Sequence, residues 1–176
     1  RVQLVVYSGS KAYVIEAGVL TEITWMGTAV AGIALLNRYF LFLSAAGDGF
    51  FYSEPGDATT GDPLNFRSAE ANANRFVQIL VDHEKVLLMW AGSTSQVFFS
   101  SNDPLEPFLP DPSAVIPWGT AASDTPISFN GRVFWIDQNG IARRSAGYTP
   151  ERISTHAVEN QWRDYGDISD AISWTA

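Results

Sequence analysis

The side chains able to do chemistry are few, and their spacing argues against most reactions. The chain has two histidines, His83 and His156, and no cysteine. Thiolate metal sites, disulfides and cysteine nucleophiles are thereby excluded. No His-x-x-x-His pair, Gly-x-Ser-x-Gly elbow, Gly-x-Gly-x-x-Gly turn, phosphate-loop lysine motif or EF-hand spacing occurs, so zinc, nucleotide and calcium chemistry lack their usual footholds. Asp57, Asp62, Asp103 and Asp111 fall in loop-like stretches, and all except Asp57 directly precede a proline, where aspartate commonly nucleates a turn. No metal and no cofactor are expected. Glycoside hydrolysis needs a pair of carboxylates across a cleft, and among 19 acidic residues nothing singles out a pair. Six tryptophans, Trp25, Trp90, Trp118, Trp135, Trp162 and Trp174, could stack on sugars; Trp90 and Trp135 read as core, and Trp25, Trp118 and Trp162 are the ones that could be exposed. A polar cluster, Arg152, His156 and Glu159, follows an entrance stiffened by Tyr148 and Pro150. It reads either as an outer strand with a polar return loop, His156 bonded to backbone, or as a subunit contact.

The elements that must position these residues come from a globular composition, 46% hydrophobic and 17% charged over 176 residues, which fits one well-buried domain. No stretch approaches the roughly 18 to 20 apolar residues of a membrane span. The formal charge of -8, with 11 Lys and Arg, disfavours direct nucleic-acid binding, which depends on clustered cations. The first residue is Arg at the start of an apolar run, and the expectation is a fragment of a longer protein.

One unit repeats. RYFLFLSAAGDGFFYSE at 38–54, KVLLMWAGSTSQVFFSS at 85–101 and RVFWIDQNGIARRSA at 132–146 begin 47 residues apart, and a further copy, RVQLVVYSGSKAYVIEA, opens the chain; each begins with Arg or Lys. Each reads as a β-hairpin whose first strand is apolar on both faces, Tyr39, Leu41 and Leu43 on one and Phe40 and Phe42 on the other. A strand of that kind must be covered twice. No stretch between copies has an apolar stripe of helical period long enough to cover a sheet, so the covers are other sheets. Strand-like runs at 29–36, 76–82 and 125–129 precede the last three hairpins, and runs at 19–24, 64–70, 108–116 and 151–158 supply outer strands. Four-stranded meanders stacked face to face predict an all-β fold, a β-propeller with about four blades present, as part of a larger one. A β-sandwich fits the 47-residue period less well. The boundaries expected within one domain over 1–176 are a partial blade at 1–27, blades at 28–73, 74–121 and 122–166, and a strand of the next blade at 167–176.

The longest inserts follow the hairpins in two consecutive blades, 55–65 and 102–118, the second with five prolines. Pro63 and Pro110 keep the 47-residue offset. Equivalent positions place both inserts on one rim, where proline-stiffened loops make a docking surface. Asp57, Asp62, Pro63, Asp103, Pro104, Pro107, Pro110 and Trp118 are its candidate contacts, and Arg152, His156 and Glu159 are further interaction candidates.

The segment GYTPERISTHAVENQW at 147–162, with GDATTGDPLNFRSAEA at 56–71 and the strand RVFWIDQNG, resembles the packaged-DNA stabilisation proteins of short-tailed bacteriophages. The resemblance runs from the start of the chain to its end and implies a structural, non-enzymatic virion component of the portal and tail region, made in the host cytoplasm. It implies partners among portal, adaptor and tail proteins, and a homo-oligomer in the full-length protein. A carbohydrate-binding propeller is the alternative, and a propeller glycosidase the third.

Overall fold

Two-residue turns in left-handed conformation cut the apolar runs into hairpins. Asn37 and Arg38 (φ 48° and 72°) and Asn130 and Gly131 (φ 50° and 69°) adopt the twist that suits an antiparallel pair. The computed structural model describes residues 2–68, 75–83, 85–90, 94–101 and 103–175, with the main chain alone at 86–90. The reading of Trp90 as core therefore lies outside the described residues.

The strands form four antiparallel meanders in chain order. Leu4–Ser8 (β1), Lys11–Glu16 (β2) and Val19–Ile23 (β3) make the first sheet; Val30–Leu36 (β4), Tyr39–Ser44 (β5), Gly49–Tyr52 (β6) and Phe66–Ser68 (β7) the second. Phe76–Asp82 (β8), Lys85–Trp90 (β9), Ser95–Ser100 (β10) and Phe108–Ile116 (β11) make the third; Ile127–Phe129 (β12), Arg132–Ile136 (β13), Ala142–Arg144 (β14) and Glu151–Arg152 (β15) the fourth. One helix follows, His156–Tyr165 (α1).

The core lies between sheets. Ala12, Val14, Ile23, Val30 and Phe42 fill the space between the first and second sheets. Leu41, Leu43, Phe50, Phe76, Phe98 and Phe108 fill that between the second and third, and Val97, Ala114, Ile116, Val133 and Trp135 that between the third and fourth. Along β5, Leu41 and Leu43 thus face forward while Phe42 faces back, and all three are fully buried. Alternating side chains serve two interfaces, which is why the run is apolar at every position. Serial meanders joined by such interfaces are propeller blades. Val30 N donates to Ser10 O (2.8 Å) as Phe76 N does to Gly47 O (2.9 Å), so the β1–β2 turn stands where the β5–β6 turn stands and β1 occupies the place of a second strand.

Four expectations are corrected. The 47-residue register is slipped by one at Arg38: Lys85 and Arg132 are first strand residues, paired with Asp82 and Phe129, whereas Tyr39, paired with Leu36, holds that place and Arg38 lies in the turn. The segment 151–158 is not a long outer strand; pairing stops at Arg152 and α1 begins at His156. Helix-compatible residues run from Ala157 to Arg163 behind an extended Thr155, and Gly166 (φ 79°) ends the helix in the left-handed conformation that favours glycine. The terminal segment 168–175 forms no strand; its main-chain bond to the fourth blade is Ser173 N to Asp124 O (3.0 Å), and Trp174 stays 80% exposed. Finally, Pro110 is no loop counterpart of Pro63. It sits in β11 opposite Phe98, on an outer strand where a missing N–H costs no ladder bond.

Candidate protein-interaction surface

Both inserts link a third strand to a fourth, β6 to β7 and β10 to β11, so both stand on the same rim. The first is pinned at Asp57, whose carboxylate accepts bonds from Thr59 N (3.0 Å), Thr59 Oγ1 (2.6 Å), Thr60 Oγ1 (3.1 Å) and Gln3 Nε2 (3.1 Å). Gln3 Oε1 in turn accepts from Ala58 N (2.9 Å), and Trp25 Nε1 donates to Ala58 O (3.0 Å). Asp57 therefore ties its insert to the preceding blade. Trp25 packs edge-on to Phe42 (5.9 Å), which engages its ring in the core between blades.

Asp62 and Asp103 build the same local device. Leu64 N donates to Asp62 Oδ1 (2.8 Å) and Leu105 N to Asp103 Oδ1 (2.9 Å), each closing an aspartate turn over Pro63 or Pro104. Pro63 thus corresponds to Pro104. Pro107 is buried and closes the second loop, its carbonyl accepting from Ser101 N (2.8 Å). Arg67, on β7, links the two inserts: Nε donates to Phe108 O (3.0 Å), Nη2 to Leu105 O (3.4 Å), and Glu106 lies 3.9 Å away. Two residues were not singled out by sequence reasoning, Leu64 and Leu105, which stand 86% and 83% exposed at the tips of these turns. The repeated tripeptide Asp-Pro-Leu was the signal that could have found them.

Trp118 is covered by the guanidinium of Arg143, 4.2 Å from its ring, and Arg143 Nε donates to the fully buried Asp137 (2.5 Å). That stack holds the approach to the fourth blade and does not present a bare ring. Between third and fourth blades a cleft of about 690 Å³ is lined by Asp82, His83, Lys85, Arg132 and Tyr148. His83 Nδ1 is 2.7 Å from Asp82, and Arg132 Nη1 donates to Ser145 O (2.9 Å). Lys85 contacts the Tyr148 hydroxyl and lies 3.4 Å from Asp111, which also accepts from Tyr148 (3.0 Å). Bonds from Ser113, first its hydroxyl, lower the Asp111 pKa, with Lys85 adding to the effect. Of these, Lys85, Asp111 and Tyr148 latch the two blades together.

Arg152, His156 and Glu159 do come together, though on a strand end and a helix. Arg152 Nε donates to Glu159 Oε1 (2.7 Å) and Nη2 to Oε2 (2.5 Å), a bidentate pair, and Ser154 Oγ donates to Oε1 (2.6 Å). Glu159 is 2% exposed, the one buried residue of α1. Arg152 foremost, then Ser154, holds its carboxyl below the ordinary value of 4.5. His156 is not bonded to backbone as expected; its Nδ1 accepts from Arg152 Nη2 (2.8 Å) at the edge of the pair. The cluster anchors α1 to the fourth blade. Trp162 is half-buried on that helix.

Serial antiparallel blades, three of them four-stranded, whose polar groups fasten loops, helix and neighbours define a β-propeller. More particularly, the chain belongs to the phage stabilisation family described as Bacteriophage P22 Gp10, beta-propeller, whose model matches residues 2–173. No curated protein matches it. Among solved structures it is similar to YCF48 from Cyanidioschyzon merolae, with 13% identity over 89% of this chain and 56% of that one and a TM-score of 0.56. It is also similar to PorZ of Porphyromonas gingivalis (16% identity, 86% of this chain, 20% of that one, TM-score 0.48) and to BamB from Moraxella catarrhalis (13%, 87%, 47%, TM-score 0.47). The likeness to YCF48 concerns the fold alone. The chain spans between 20% and 56% of the length of these three proteins.

Proposed function

We propose that this propeller is a structural part of the portal and tail hub of a phage virion, where it helps keep the packaged genome inside and offers its insert-bearing rim to tail components. The observation that carries this reading is the family match over 2–173. The chain's own physics supports a mechanical role. A formal charge of -8 repels phosphates, so retention works by narrowing an exit and not by gripping the duplex. The full-length protein acts as a homo-oligomer around the channel, with portal, adaptor and tail proteins as neighbours. Asp57, Asp62, Pro63, Asp103, Pro104 and Pro107 shape the docking rim; Pro110 stands on the outer strand behind it, Trp118 closes that strand's far end, and Arg152, His156 and Glu159 fix α1.

Particles carrying full-length protein or a version lacking 53–65 and 101–107 test this reading. Genome leakage, read as nuclease-accessible DNA after packaging, is expected to rise severalfold in the second while packaging itself proceeds. Equal retention by both particles would refute the rim's role. Purified chain is expected to leave duplex DNA unshifted in a gel at low salt; tight, salt-sensitive binding would refute retention by obstruction.

A further inference from the structure

The sequence Asp-Pro-Leu occurs at 62–64 and again at 103–105, on the third-to-fourth strand connections of consecutive blades. In both copies the aspartate carboxylate accepts the leucine N–H, and proline fixes φ between them. An exposed leucine by itself is ordinary on a protein surface. Here two are displayed on the same preformed turn, at equivalent places, each more than four-fifths exposed. Arg67 holds the pair in register, reaching from three residues beyond Leu64 to the carbonyls of Leu105 and Phe108. The turns therefore lose little freedom when their leucines are buried by a partner.

Charge defines that partner's chemistry. The loops 53–65 and 101–107 contain Glu54, Asp57, Asp62, Asp103 and Glu106 and no Lys or Arg, and Arg67 between them is engaged by the carbonyls of Leu105 and Phe108. We propose that Leu64 and Leu105 are paired anchors that enter apolar pockets on a protein surface rimmed by Lys and Arg side chains. Apolar contact supplies the affinity, and the flanking carboxylates speed and orient the encounter. A second copy of this acidic chain is disfavoured as occupant, because it would bring carboxylates against carboxylates. The inference rests on the docking role proposed above and names the residues that perform it.

Binding of the purified chain to the purified portal–adaptor ring, followed by biolayer interferometry at several salt concentrations, tests it. Leu64→Asp and Leu105→Asp should each weaken binding at least about tenfold, and the double variant about a hundredfold. Glu106→Gln should slow association and flatten its salt dependence. Leu20→Asp, an exposed leucine on β3, should bind as the unaltered chain does. Thermal midpoints of the leucine variants should stay within error, because the side chains removed are solvent-exposed. If the unaltered chain binds and the leucine variants bind equally, the anchor assignment is overturned while the docking role survives. Failure of the unaltered chain to bind would overturn both. A photo-cross-linking residue at 64 or 105 should capture a basic ring protein in assembled particles, and capture of another copy of this chain instead would overturn the choice of partner.

Discussion

Phe50 on β6 should be among the most costly side chains to remove, and the reason is its place between blades. It is fully buried and meets Phe98 of the next blade edge-on, with ring centroids 5.2 Å apart at 90°, and Phe108 at 5.8 Å and 72°. Burial of a phenylalanine contributes up to about 3 kcal/mol, and each edge contact about 0.5–1.5 kcal/mol more. Phe50→Ala should therefore cost about 3–5 kcal/mol, a large part of the roughly 5–15 kcal/mol that holds an ordinary domain together. Phe51, the next residue, points to the preceding blade and is half-buried against Trp25 and Phe66 (6.4 and 4.7 Å), so Phe51→Ala should cost distinctly less. Urea unfolding followed by far-UV circular dichroism gives both values, and a double-mutant cycle of Phe50 with Phe98 should return about 0.5–1.5 kcal/mol of coupling. A loss below about 1.5 kcal/mol for Phe50→Ala, or no difference from Phe51→Ala, would refute the assignment of the two faces to two interfaces. The result bears on function as well, since β6 leads directly into the insert at 53–65.

Three further outcomes are expected. Glu159, with its folded pKa below 4.5, stabilises α1 fully above that value and ceases to do so as pH falls through the depressed folded value, so the protection of helix amides, taken relative to their intrinsic exchange rates, should fall in acid. In Glu159→Gln the same amides should exchange faster already at neutral pH and lose that acid response; an unchanged pH profile would sink the anchor. Gly49→Ala should fail to fold or lose the β6–β7 pairing, because an added Cβ would sit 2.1 Å from Arg67 O, and a thermal midpoint equal to the parent's would contradict that close approach. Asp103→Ala should leave global stability within about 1 kcal/mol and raise exchange at the Leu105 amide; continued protection there would show that the turn does not depend on the carboxylate.

Much of the architecture was legible because apolar runs of alternating direction must be covered twice. Leu41, Phe42 and Leu43 announced two covered faces, and Asn130 with Gly131 announced a hairpin. The helix at 156–165 was not legible as such, since it buries only Glu159 and so carries no core-facing apolar stripe. The one-residue slip at Arg38 was invisible too. A strict 47-residue count preserves residue type, whereas hairpin register is set by turn length, and a slip of one exchanges the faces.

The candidate surface divides in the same way. The chain itself determined the blade repeat, the acidic inserts and the Asp-Pro turns, because these rest on local backbone preference and on side-chain period. Only the tertiary structure decided that Arg152 and Glu159 close on each other, that Trp118 lies under Arg143, and that Leu64 and Leu105 stand free on one rim tied by Arg67. Those facts depend on contacts between residues 7 to 41 positions apart, and such contacts follow from how the blades pack, which no local pattern encodes.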